Sequence, residues 1–103
     1  MKVERWDAAH DGAVTEAALR AKLERLGYSV SRYVYPLGTC FPNHTHNVDK
    51  MDAVLSGTFR ITTPEGAVDL GPGDAIEVPR GAVHSAEVIG DEPVISLDAV
   101  RVR

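Results

Sequence analysis

Cysteine is nearly absent from this sequence: the single Cys40 excludes an intramolecular disulfide and agrees with a reducing compartment. Long apolar runs are absent too. None approaches the roughly 20 residues that cross a bilayer. The opening MKVERWDAAHDG lacks the apolar stretch of a secretory signal, so the chain is expected to be cytoplasmic and off the membrane. There is also no basic stripe. The 15 acidic and 11 basic residues are interleaved and sum to a net charge of -4, which argues against nucleic acid as a partner. A phosphate-cradling loop is missing, because Gly71-Pro72-Gly73 has neither a following helix nor a lysine at the required spacing. No G-x-S-x-G elbow, Cys-x-x-Cys pair, repeat or low-complexity tract occurs either.

What remains is an ordinary soluble composition, 44% apolar and 25% charged. A core in a chain of this length buries roughly two-thirds of the unfolded surface. The expectation is one domain over 1–103.

The first periodic segment is Thr15 to Leu26, where Leu19, Leu23 and Leu26 share one helical face. Thr15 can cap its start and Gly27 can end it in a left-handed conformation. After Gly27 the texture changes to short β-branched or aromatic runs, which read as strands at Tyr28–Tyr35, Met51–Leu55, Thr58–Thr63, Ala67–Leu70, Ala75–Val78, His84–Ile89 and Val94–Val102. Tight Gly- and Pro-containing turns separate them. Such loops favour antiparallel neighbours and an all-β barrel or sandwich, with one amphipathic helix about 15–26 ahead of a barrel about 28–102.

His44 and His46 are separated by one residue, so in an extended segment both imidazoles project from the same face. Neutral imidazole is a ligand for zinc, iron, copper and nickel, and a catalytic site typically takes three protein ligands and keeps one position open. His84, directly after a Pro-x-Gly turn, is the candidate third ligand.

The frame around these histidines resembles the cupins. Their first motif runs Gly, five residues, His-x-His, three or four residues, Glu, six residues, Gly; here Gly38, His44, His46 and Gly57 fill those places, with Lys50 where the Glu would stand. Their second runs Gly, five residues, Pro-x-Gly, two residues, His, three residues, Asn; Gly73, Pro79, Gly81 and His84 match, with Val88 at the final place. The resemblance implies an antiparallel double-stranded β-helix, the jelly-roll barrel. It also implies a divalent-metal site on His44, His46 and His84. Gly38, Gly57, Gly73 and Gly81 are expected at strand corners, where replacement should damage folding.

In metal-binding cupins the place of Lys50 usually carries a carboxylate ligand. A protonated lysine about 4 Å from a divalent ion is opposed by roughly 8 kcal/mol at an effective dielectric near 20. Three arrangements stay open. Lys50 turns aside to a carboxylate, Asp52 first and Asp49 next; or Asp49 swings in as the missing ligand; or no metal binds and Lys50 with the histidines forms a cationic pocket for an anionic ligand.

As an enzyme, the resemblance implies a dioxygenase- or isomerase-like cupin acting on a small, anionic molecule, with a pocket partly lined by Lys50 and Asp52 and with zinc, iron, manganese, nickel and copper not separable by ligand type. The alternative is a metal-free or non-catalytic sensor or binding module for a small ligand. A homodimer is expected, since an exposed edge strand invites pairing. Cys40 shares the parity of His44 and so can look inward as a packing residue; His10 reads as a surface residue, and Asp11-Gly12 as a turn. Trp6, Tyr28, Tyr33 and Tyr35 read as strand and core-edge residues rather than a ligand-stacking set.

Overall fold

The computed structural model describes residues 1–102. In chain order the elements are β1 (Val3–Glu4), α1 (Ala8–Asp11), α2 (Glu16–Arg25), β2 (Tyr28–Tyr35), β3 (Cys40–His44), β4 (Lys50–Ser56), β5 (Thr58–Thr63), β6 (Gly66–Leu70), β7 (Ala75–Val78), β8 (His84–Ile89) and β9 (Val94–Arg101). The strands form a five-stranded sheet ordered β1-β7-β4-β9-β2 and a four-stranded sheet ordered β3-β8-β5-β6. Every pairing is antiparallel. This is the double-stranded β-helix arrangement, with the barrel left unclosed. Among the described residues no helix is long and apolar enough to cross a membrane.

Helix α2 forms as its sequence predicts at its start: the Thr15 hydroxyl accepts from the Ala18 N–H at 3.1 Å. Leu19 and Leu23 are buried, but Leu26 is 44% exposed and does not join their stripe. It is the C-cap residue, and Gly27, at φ 95°, turns the chain away toward β2 before Leu26 can reach the sheet. The turn read at Asp11-Gly12 ends a single helical turn, α1, capped by the Asp7 carboxylate accepting from the Ala9 N–H. Strand β1 and strand β3 were not expected. Two residues carry no periodicity, and Pro42 and Asn43 lower the strand propensity of β3.

Residues alternate between two cores. Leu19 and Leu23 of α2 pack with Met51, Ala53, Ala75, Leu97 and Ala99 on one face of the five-stranded sheet. Between the sheets lie Val54, Ile76, Val78 and Val94 of that sheet with Phe59, Ile61, Leu70 and Ala86 of the other. Strand β4 is therefore covered on both faces, its odd residues by α2 and its even residues by the opposing sheet.

Positive φ is general at the corners, but the space around each glycine differs. At Gly57 (φ 84°) a Cβ would collide with the Pro93 carbonyl oxygen and touch the Val94 backbone, whereas at Gly81 (φ 77°) nothing lies within 4 Å. Gly81→Ala should cost about 1–2 kcal/mol, the backbone strain alone. Gly57→Ala should add the overpacking of an unyielding backbone, about 1–3 kcal/mol more. Urea denaturation of the two variants checks the order; equal losses would remove the steric part of the argument.

Candidate metal and ligand site

The four-stranded sheet supplies one wall of a cavity of about 360 Å³. His44 ends β3, His84 begins β8, and the two are Cα partners across the antiparallel pair. Their rings consequently meet, with centroids 4.2 Å apart. His46 lies two residues beyond, with its centroid 4.8 Å from His44 and 5.2 Å from His84. One nitrogen from each ring falls within 4.8 Å of the others, close enough for one ion to be shared.

Backbone carbonyls fix which nitrogens are available. His44 Nδ1 lies 2.6 Å from the Pro42 carbonyl oxygen, and His84 Nδ1 lies 3.0 Å from that of Ala82. A carbonyl only accepts, so in each ring Nδ1 donates its hydrogen and Nε2 is the nitrogen left for an ion. Such outer hydrogen bonds are how metal-binding histidines are oriented. Burial first, then the charge of Lys50 and the other two imidazoles, lowers the pKa of His46 and favours its neutral, donor form.

A bulge explains which residues of β3 face inward. Phe41 pairs with Ala86 and His44 with His84, three steps on one strand against two on the other. Phe41 and His44 thus both line the cavity, while Cys40 is exposed. The simple parity that pointed Cys40 inward fails because it assumes an unbroken ladder. Phe41 also meets Tyr35 edge-on at 5.0 Å and Phe59 at 6.2 Å, and Tyr35 lies 5.5 Å from Phe59. Tyr35, read as a strand and core-edge residue, belongs with Phe41 and Phe59 to an aromatic lining drawn from three different strands, β2, β3 and β5.

The five-stranded sheet supplies the other wall. Even residues of β4 point between the sheets, which brings Lys50 and Asp52 to the cavity. Asp52 is the Cα partner of Asp98 on β9, so two carboxylates face each other directly. Lys50 Nζ lies 3.3 Å from Asp52 Oδ1 and 4.0 Å from Asp98 Oδ2. Asp98 also accepts from the Tyr35 hydroxyl at 2.9 Å and the Ser96 hydroxyl at 2.6 Å. Burial, then the Asp98 charge, raises the pKa of Asp52, with Lys50 opposing only in part. Burial and the Asp98 carboxylate likewise hold the Tyr35 hydroxyl above its ordinary range.

Of the arrangements open for Lys50, the observed one is the turn toward Asp52. Asp49 is exposed, accepts from the Arg80 N–H at 2.8 Å, and borders a different cavity from the histidines. Lys50 is not a lone cation either, because two carboxylates face it. Asp98 escaped the sequence reading, although an acidic residue in the apolar run VISLDAV at the parity of Ser96 is a signal that could have found it. His10 is exposed, beside Asp11, and takes no part in the site.

The raised proton affinity of Asp52 has a stability consequence. Folded Asp52 binds its proton more tightly than the unfolded side chain, whose ordinary value is 3.8, so its contribution is fully present below that value and is lost as pH rises through the folded pKa. In chelator-treated protein, the stability of Asp52→Asn relative to the parent should increase with pH above about 4, by at most about 1.4 kcal/mol per unit. Urea midpoints measured from acid to neutral pH test this, and a constant difference between the two proteins would contradict it.

The cupin domain family model matches residues 31–100, a span that contains all three clustered histidines and both facing carboxylates. No curated protein matches the chain significantly. A solved conserved protein of unknown function from Streptococcus pyogenes superimposes with a TM-score of 0.63 at 23% identity, covering 73% of this chain and 64% of that one. The DMSP lyase DddQ from Ruegeria pomeroyi gives 0.61 at 29% identity, over 71% of this chain and 38% of that one. Oxalate decarboxylase from Bacillus subtilis, a protein with Mn(II) centres, gives 0.61 at 26% identity, over 73% of this chain and 22% of that one. This chain thus spans less than two-thirds of each of these three neighbours. With the family match covering well over half of its residues, the chain belongs to the cupin domain family.

Proposed function

We propose that the protein binds a divalent metal ion through His44, His46 and His84 and acts on a small, anionic molecule held in the cavity beside them, by oxidation or isomerisation. The observation that carries this reading is the donor set: three imidazoles with nitrogens within 4.8 Å, two of them with Nδ1 committed to backbone carbonyls. An ion there would supply Lewis-acid or redox chemistry. Manganese has a precedent in the oxalate decarboxylase neighbour, though three imidazoles serve zinc, iron, nickel and copper as well.

The remaining roles fall to the chain itself. Phe41, Phe59 and Tyr35 exclude water and pack the apolar part of a ligand. Lys50 is held by Asp52 and Asp98 rather than by solvent, which turns its ammonium away from bare repulsion of the cation. The residues before Ser31 belong to the same unit, since β1 pairs with β7 and the Trp6 side chain seats against Gly73. Lys50 at the motif carboxylate also favours a second reading, a binding module that holds a small ligand without turnover.

Purified protein should contain close to one metal ion per chain, and His84→Ala should reduce this to background by elemental analysis. Retention of full metal in that variant would remove His84 from the set. Turnover of small carboxylates under air with added iron would favour the enzyme; a melting shift without turnover would favour the binder. A homodimer is part of the same reading, because the eight residues of β2 form a sheet edge whose strand partner among the described residues is β9 alone, with Tyr33 and Val34 exposed. Light scattering should give twice the 11.1 kDa chain mass, and a concentration-independent monomer would refute it.

A further inference from the structure

The two walls of the cavity are finished differently. On the five-stranded sheet the polar groups face one another: Asp98 accepts from Tyr35 and Ser96, and the Lys50 ammonium stands 3.3 Å from Asp52 and 4.0 Å from Asp98. A second anionic end on a ligand therefore finds no surplus positive charge on that wall. Beyond its histidines, the inward rows of the four-stranded sheet are apolar, and the register sets them. His44 faces His84; one inward step along β8, Phe41 faces Ala86, and Ala86 in turn faces Ile61 of β5. The next inward step pairs Val88 with Phe59.

Ala86 is the gap in this apolar wall. It is the smallest residue lining the cavity, and its row holds Phe41 on one side and the fully buried Ile61 on the other. The Phe59 ring lines the same space 6.2 Å from that of Phe41 and at 89° to it, with Tyr35 5.0 Å from Phe41 and 5.5 Å from Phe59. A side chain longer than alanine would project from this row into the cavity of about 360 Å³. That volume lies near the lower end of small-molecule sites, roughly 300–1,000 Å³, and suits one ring with one acid group. Rings that present edges and faces to one space favour an aromatic guest. Successive inward residues of a strand are about 7 Å apart, so a ring joined to a carboxylate directly or through one carbon reaches from the His84 row to the Ala86 row.

We propose that Ala86 is a specificity residue whose small side chain leaves a subsite for a compact aromatic ring against Phe41 and Phe59, so that the ligand class is a monocarboxylate with one aromatic ring and no second charged end. The placement of the carboxylate rests on the metal reading above; the ring subsite does not. Such a subsite selects by the apolar area it takes out of water, and a side chain that fills the gap removes the selection while leaving the imidazoles in place.

The test is calorimetric titration of the full chain, metal-loaded and chelator-treated, with acetate, succinate, benzoate and phenylacetate, the cyclohexyl counterparts of the two ring acids, and benzyl alcohol as a neutral ring. In the metal-loaded protein benzoate or phenylacetate should bind at least about 10-fold more tightly than acetate and succinate. The aromatic acid should also bind more tightly than its cyclohexyl counterpart. Ala86→Leu should abolish the ring preference, read as the ratio of ring-acid to acetate affinity, while elemental analysis shows unchanged metal content. Ala86→Val, which adds less volume, replaces the leucine variant should that one fail to fold. Binding of succinate or of the cyclohexyl acids as tight as that of the aromatic acids, or a ring preference that persists in the filled variant, overturns the proposal. Binding of benzyl alcohol to the chelator-treated protein that the filled variant loses, in a chain that takes up no metal, overturns the metal reading and supports the ring subsite. Equimolar metal without a ring preference does the reverse.

Discussion

A strand covered on both faces has no solvent side for its polar residues, and β4 is such a strand. Its odd residues meet α2 and its even residues meet the opposing sheet, so Lys50 and Asp52 must be accommodated inside the protein. Burying isolated charges is prohibitive, and they persist only when paired. The register of β4 on β9 provides that pairing by setting Asp98 directly opposite Asp52, with the Lys50 ammonium close to both. The polar wall of the cavity follows from strand alternation and cross-strand register, before any ligand is considered.

The same arrangement lessens the electrostatic objection raised by a lysine near a metal. Alone, its ammonium would oppose a divalent ion by roughly 8 kcal/mol at about 4 Å. Two carboxylates within 4.0 Å of Nζ make the group anionic or neutral as a whole, depending on whether Asp52 holds its proton. Its repulsion at the imidazoles is then reduced but not removed, since at His46 the Lys50 charge still outweighs that of Asp98. The carboxylate charge that Lys50 displaces from its motif position is restored one strand away, by Asp98.

How far the sequence was readable depended on whether a feature was local. The helix start at Thr15, the glycine corners and the histidine spacing are each fixed by a few neighbouring residues, and the structure has the capped helix, the positive φ values and the clustered rings. Leu26 misled because a stripe of period 3.6 does not announce where the chain leaves the helix axis. Cys40 misled because the extra residue between Phe41 and His44 is a property of the pairing with β8, invisible in β3 alone. Tyr35, Phe41 and Phe59 come together only through the three-dimensional approach of β2, β3 and β5. Asp98 was within reach of parity once Asp52 had been placed, but the partnership itself needed the β4–β9 register.

The cavity also divides its chemistry by sheet. Imidazoles and the phenylalanine rings come from β3, β5, β8 and the loop after β3, while Lys50, Asp52, Asp98 and Tyr35 come from β2, β4 and β9. Outward residues of β4 and β9, such as Ala53, Leu97 and Ala99, hold α2 and the sheet together, and they do not see the cavity. The polar inward residues that line the cavity, Lys50, Asp52 and Asp98, belong to neither apolar cluster, so these positions can change identity with less effect on that packing. That separation is why a family match over 31–100 fixes the architecture yet leaves the chemistry to individual positions. Position 50 shows it most directly: an inward place whose usual carboxylate is a lysine here, accommodated because β9 brings Asp98 to the same wall.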